Sequence, residues 1–234
     1  MEGGTIEENY AGDGGAGIHL ENVSPTITKG NIRNNKYGTE AEAHKFGSEI
    51  LLFDNAKLSI SSSNVVIESL EGETRGIYVR KSDSQSELAL SDSAYIKSPV
   101  YLDENAKIKI TGALTTHDEA NGIIATITPN EYSTERPVLV AGRGVALSSS
   151  LVKQFNVPPA EDEKEWFVDL YGYLGKVPET ETNDEGTAVY LMESYDNLLY
   201  IAQELRTNGI NSFNIKLTND IEIPSGKWTS PLDV

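Results

Sequence analysis

The stretch Leu52-Phe53-Asp54-Asn55-Ala56-Lys57-Leu58-Ser59-Ile60 returns fifty residues later as Leu102-Asp103-Glu104-Asn105-Ala106-Lys107-Ile108-Lys109-Ile110. Between the two copies, Leu88 to Ile96 carries a degenerate echo, Leu-Ala-Leu-Ser-Asp-Ser-Ala-Tyr-Ile. Upstream, Gly4-Thr5-Ile6-Glu7-Glu8-Asn9 resembles Gly30-Asn31-Ile32-Arg33-Asn34-Asn35 at a spacing of twenty-six. Short apolar runs recur at similar intervals, from Ile18, Ile50, Ile77, Val100 and Ile123. A unit of roughly two dozen residues cannot bury its own apolar face and must stack on its neighbours.

Within each unit the apolar residues alternate with polar ones, as in Leu58-Ser-Ile60 and Ile108-Lys-Ile110, and Gly, Ser, Asn or Asp separate the runs. That is the period of a strand with one buried face. The pattern predicts an all-β chain wound as a right-handed parallel β-helix over residues 1–174, in about five to seven irregular turns. A β-sandwich is the alternative that the strand content permits. Asn22, Asn55 and Asn105, at comparable strand ends, are expected to contribute to an internal amide ladder. From residue 123 prolines restrict the pairing, and Val145 to Leu147, Phe155 to Val157 and Trp166 to Leu170 are expected as the last, looser strands. Trp166, Phe167, Tyr171 and Tyr173 are expected to plug the open end of the column.

Residues 175–186 are acidic and nearly free of large aliphatics, and are expected as a linker. Residues 187–234 carry the one helix the pattern supports. Ser194 is its N-cap, Asp196 lies in its first turn, Gly209 sits at C′, and Leu198, Leu199, Ile201, Ala202 and Leu205 make an apolar face. Strands at Phe213–Leu217 and Ile221–Ile223 follow, then Trp228, so this tail reads as the start of a second β-helix.

The chain has 234 residues, 19 basic and 36 acidic side chains, and a formal charge of −17. That balance excludes nucleic acid as a partner, because phosphate recognition needs clustered Lys and Arg. With no cysteine there is no disulfide, thiolate metal site or thiol nucleophile. No apolar run is long enough to span a bilayer. The opening Met1-Glu2-Gly3-Gly4 lacks the features of a signal peptide and enters the repeat midway, so the chain is expected to be part of a larger polypeptide.

The Gly-Ile-x-x-x-Asn strands, the repeat at 54–60 and 104–110, and the ending from Gly122 to Leu174 resemble bacterial surface β-helix repeat proteins, broadly similar in pattern to polymorphic outer-membrane protein repeats. Ile127 to Tyr132, Lys153 to Val157 and Trp166 occupy the places of that group's closing segments. The resemblance implies export, an extracellular or cell-surface location, and a role in attachment. It transfers no catalytic residue.

The residues assign no catalytic, cofactor-binding or metal site. Gly12-Asp13-Gly14-Gly15-Ala16-Gly17 matches a dinucleotide fingerprint, but a strand and Pro25 follow where the fingerprint needs a helix. His19, His44 and His117 lack metal-ligand spacing. Asp54, Asp83, Asp92 and Asp103, with Arg75, Arg80 and Lys81, could form the exterior groove of a polysaccharide lyase or hydrolase, against the simpler reading of a solvated acidic face. Glu161-Asp162-Glu163 and Asp184-Glu185 lack the order of a calcium loop. The leading expectation is a non-enzymatic extracellular scaffold or adhesion module whose exterior meets a host protein or glycan. A carbohydrate-active enzyme on the same architecture is the alternative.

Overall fold

The computed structural model describes residues 1–12, 14–38, 46–80, 86–115, 122–160, 163–208 and 212–225. Asp13, His44, Lys81, Ser82, Asp83, His117, Glu161, Asp162, Gly209 and Trp228 lie outside these residues.

Alternation decides which side chains turn inward, and the strands that carry them assemble into three main parallel sheets, with β2 (Tyr10–Ala11) and β6 (Lys36–Tyr37) as a separate parallel pair. The first contains β1 (Glu2–Glu7), β5 (Lys29–Arg33) and β9 (Val65–Glu68), in that order. The second runs β3 (Ile18–Glu21), β7 (Ile50–Phe53), β10 (Ile77–Val79), β12 (Val100–Leu102), β14 (Ala125–Pro129) and β16 (Phe155–Asn156). The third runs β4 (Thr26–Ile27), β8 (Lys57–Ile60), β11 (Glu87–Asp92), β13 (Lys107–Leu114) and β15 (Leu139–Ala141). In each sheet the spatial order is the chain order, and the pairs are parallel. An antiparallel sandwich would pair sequence neighbours instead.

The repeat is the register. Thr5, Ile6 and Glu7 face Asn31, Ile32 and Arg33, at the spacing of twenty-six seen in the sequence. Leu58, Leu88, Ile108 and Leu139 stack in one column of the third sheet, so Ala56-Lys57-Leu58 and Ala106-Lys107-Ile108 share a wall. The middle copy is displaced from its sequence echo, because Leu88 faces Leu58 rather than Leu52. Burial, which rewards an apolar side chain in every inward slot, overrode the similarity of the turn residues. Ile50, Leu52, Leu58, Ile77, Leu88, Leu90, Ile108 and Ile110 are fully buried. Each such side chain contributes about 1.5–3 kcal/mol relative to exposure.

The corners correct the expected amide ladder. Asn22, Asn55 and Asn105 are exposed and have φ of 52°, 61° and 57°. They are turn residues in the left-handed region that Asn tolerates best among side-chain-bearing residues, and their amides do not enter the core.

At the far end Val145–Leu147 is not a strand. It leads to a single-turn helix, α1 (Ser149–Val152), whose Leu151 N–H donates to Ser148 Oγ at 3.3 Å. A short hairpin then closes the column, β17 (Trp166–Val168) antiparallel to β18 (Leu174–Lys176). Trp166, Val168 and Leu174 join the main core and Trp166 stacks near Tyr132 at 5.5 Å, whereas Tyr171 faces solvent. Gly172, at φ +83°, lies so close to the Leu139 carbonyl that a Cβ there would overlap it.

The expected linker carries structure. β19 (Thr180–Thr182) pairs antiparallel with β20 (Ala188–Met192), exposed throughout its length but held by backbone bonds that polarity alone does not reveal. The helix α2 (Tyr195–Asn208) follows, and β21 (Asn214–Leu217) returns parallel to β20. Asn197 Oδ1 accepts from the backbone N–H groups of Glu193 and Ser194 at 2.9 and 3.2 Å, which satisfies donors ahead of the first turn. Leu199, Ile201 and Ala202 are buried, and the α2 side chains reach the column through Lys153–Glu204 at 2.6 Å and Gln203 Nε2 donating to Val168 O at 3.3 Å. Ile221–Ile223, expected as a strand, is not one. No described helix is long and apolar enough to cross a membrane.

Candidate functional site

Strands that place Ile77, Val79, Val100 and Leu102 inward must place Tyr78 and Tyr101 outward. The parallel register sets these two rings directly over one another on the outer face of the six-stranded sheet. Their centroids are 4.8 Å apart and the planes are inclined by 24°. Leu51 continues the column on the next strand, and Phe46 meets Tyr78 edge-on at 5.2 Å. This outer cluster is separate from the main core.

Two guanidinium groups lie on it. Arg75 stands 4.5 Å from the Tyr101 ring and 6.0 Å from Tyr78, and Arg80 is 4.7 Å from Phe46 and 4.6 Å from Phe53. Each such stack contributes about 0.5–2 kcal/mol and holds the planar group in place. Tyr101 donates its hydroxyl to Asn130 Oδ1 at 2.5 Å. Burial pushes both phenols up, with Asp103 adding to the effect and Arg75 opposing it, so they stay protonated donors. Tyr78 and Tyr101 are themselves buried, at 5% and 8% exposed, so the face presents two half-buried guanidinium groups ordered over a closed aromatic layer, on a chain of negative charge.

His19 sits beside this face, edge-on to Phe53 at 6.2 Å. Asp54 and Asp92 are corner residues at φ of 41° and 54°, on different sheets, and Asp103 follows the end of β12, with Glu104 N–H donating to its Oδ1 at 2.9 Å. The structure thus brings Arg75, Arg80 and Asp103 to one face but leaves Asp54 and Asp92 at turns. The glycine run is part of the wall: Gly15 N–H donates to Phe46 O at 3.0 Å, and a Cβ at Gly17 would come within 2.5 Å of Glu49 O. Its glycines allow close strand approach, and β3 follows rather than a helix. Asp184 and Glu185 lie in an exposed turn shaped by Asn183, whose Oδ1 accepts from Glu185 and Thr187 N–H.

Sequence reasoning passed over two features. The outward aromatic column was visible as Tyr78 and Tyr101 in the second position of their strands, an alternation read only for its apolar half. The other is a sealed polar cluster in the wall. Asn35 and Glu49 are wholly buried, with Asn35 N–H and Nδ2 donating to the Glu49 carboxylate at 3.2 and 2.5 Å. Burial raises Glu49 from 4.5 to about 7, against the lowering effect of Asn35, and the charge of Glu73 adds to the rise. Sealed behind Gly17, this carboxyl cannot reach a substrate.

A cleft of about 640 Å³ opens between the β17–β18 hairpin and the start of α2, lined by Glu163, Glu165, Glu179 and Glu193 with Lys164 and Lys176. Lys164 and Glu179 pair at 3.8 Å, largely exposed. Its mixed charges are solvated, and no three or more His, Asp and Glu converge as metal ligands among the described residues. No family model, curated protein or solved structure matches the chain at a significant level.

Proposed function

We propose that this chain is a non-enzymatic scaffold or adhesion module of a bacterial surface protein, wound over residues 1–174 as a right-handed parallel β-helix. Its exterior face at Arg75 and Arg80, laid over the buried Tyr78–Tyr101 stack, contacts a host protein or glycan. The winding is supported by three parallel sheets whose spatial order follows the chain. The observation that carries the contact face is the register-fixed Tyr78–Tyr101 stack with guanidinium groups laid on it. Arg is among the residue types that dominate recognition surfaces, and here the buried rings, held by the sheet spacing, keep its guanidinium groups ordered.

The expected location is extracellular, in keeping with the sequence resemblance, and the polymer-cleaving alternative gains no support from Glu49, the raised carboxyl among the described residues, because it is sealed. The test is a binding screen of the purified chain against immobilised glycans and extracellular-matrix proteins, alongside the variant Arg75→Ala/Arg80→Ala. Saturable binding lost in the variant supports the reading. Release of reducing or unsaturated ends from a polysaccharide panel would replace it with the enzymatic one.

A further inference from the structure

The parallel register carries the outward residues of the six-stranded sheet in rows from one strand to the next. The row of the two tyrosines begins at His19 and ends at Thr128. The adjacent row begins at Glu21 and Phe53 and continues through Arg80 and Asp103 to Asn130, the residues that follow β10, β12 and β14. The rings beneath the two arginines belong to different strands. Arg75 lies over Tyr101 of β12 and Arg80 over Phe53 of β7, two strand steps apart, about 10 Å. Stacking occupies the flat face of each guanidinium, so its N–H donors lie in the plane, where their fork matches a carboxylate.

The surroundings of the two cations select the ligand. Among the described residues, no exposed large hydrophobic lies on a strand of this sheet. A protein partner draws its affinity chiefly from apolar and aromatic anchors, and the rings here are closed beneath the arginines. What the face exposes is His19, Glu21 and Asn130, with Asp103 and Thr128 half-buried, a set of donors and acceptors that suits sugar hydroxyls. Two separated guanidinium groups call for two separated anions. The net charge of −17 repels a polyanion more strongly the denser its charge, which disfavours a sulfated polymer and admits one with widely spaced carboxylates.

We infer that the Arg75–Arg80 face takes an unsulfated polysaccharide with one uronate per disaccharide, laid across β7, β10 and β12, with successive carboxylates on the two guanidinium groups and sugar hydroxyls on Asp103 and Asn130. The inference rests on the proposed contact face and narrows its ligand to one class of polymer. Pairing of a carboxylate with a guanidinium is bidentate, so Lys at either position keeps the charge and loses the fork.

The test is isothermal titration of the whole chain, at physiological ionic strength, with oligosaccharides of hyaluronan and of unsulfated chondroitin, each carrying one glucuronate per disaccharide. The same oligosaccharides with their carboxyls reduced to alcohols, heparin, dextran and polyglutamate are titrated beside them. The expected result is saturable binding of the two uronate polymers, weakened about tenfold by Arg75→Lys or Arg80→Lys and abolished in Arg75→Ala/Arg80→Ala, with none to the reduced forms. Circular dichroism checks that each variant is folded. Equal binding of reduced and native oligosaccharides, or binding that survives the double Ala variant, overturns the inference. So does tighter arginine-dependent binding to heparin, dextran, polyglutamate or a matrix protein than to the uronate polymers, a result that leaves the contact face standing. No arginine-dependent binding to any of these removes both.

Discussion

The side-chain amide of Asn9 donates to the side-chain carbonyl of Asn35 at 2.9 Å, across 26 residues of chain and one step between neighbouring strands. Asn9 N–H donates to the same oxygen at 3.1 Å, and Asn35 Nδ2 passes the network on to Glu49. An amide stack between successive units therefore exists, at Asn9 and Asn35 rather than at Asn22, Asn55 and Asn105. It is half backbone support and half solvation shell for a buried carboxyl.

Replacing Asn35 exposes that dependence. Asn35→Ala leaves the buried Glu49 carboxyl without its partner, at a cost of about 3 kcal/mol, while Asn9, which is exposed, turns to water. Asn35→Asp is the sharper variant, since it sets a second carboxyl against Glu49 and its destabilisation should grow with pH. Chemical denaturation at two pH values checks both, and an Asn35→Ala midpoint equal to that of the parent would remove the network from the account of stability.

Glu49 makes stability itself pH-dependent. Its carboxyl titrates near 4.5 when unfolded and at about 7 in the fold, so the folded chain holds the extra proton between those values. Stability from this group is fully present below about 4.5 and falls as pH rises to about 7, by roughly 3 kcal/mol. Glu49→Gln should flatten that window and leave the variant more stable than the parent at pH above 7. A difference curve between parent and variant isolates the group, and identical slopes for the two proteins across the window would refute the assignment.

Much of the architecture was legible because its cause is local and periodic. Ile6 and Ile32, or Leu58 and Ile108, had to face one way for every unit to bury its apolar half. What was not legible depends on which residues the stacking brings together. Leu88 resembles Leu52 by its neighbours yet packs over Leu58, because burial of an apolar side chain in every inward slot, not the similarity of the turn residues, sets the register. Glu49 reads as an ordinary surface acid until the stacking buries it and sets the Asn35 amide against its carboxylate. β19 has no apolar signal, and only its partner β20 reveals it. The aromatic face was written plainly in Tyr78 and Tyr101, but nothing in a single strand shows that the two rings stack.

The corner asparagines give a prediction that separates a turn role from a core role. At Asn55, φ of 61° favours Gly or Asn over branched or long side chains. Asn55→Gly should leave stability within about 0.5 kcal/mol, whereas Asn55→Leu should cost about 1 kcal/mol through backbone strain. Equal losses in the two variants, read by thermal melting, would point instead to a lost amide contact.

Tyr101 distinguishes binding from support on the outer face. Its ring lies on Tyr78 and under Arg75, and its hydroxyl reaches Asn130. Tyr101→Phe keeps both stacks and removes only the hydrogen bond, so it should cost about 1 kcal/mol and leave Arg75 in place. Tyr101→Ala removes the ring beneath the guanidinium and should cost about 3 kcal/mol. A ligand gripped by the ordered Arg75 should bind the Phe variant within about threefold of the parent and lose most of its affinity for the Ala variant. Comparison below the melting temperature of the weaker variant keeps folding out of the measurement, and unchanged affinity of a ligand for the Ala variant would move the contact surface elsewhere on the wall.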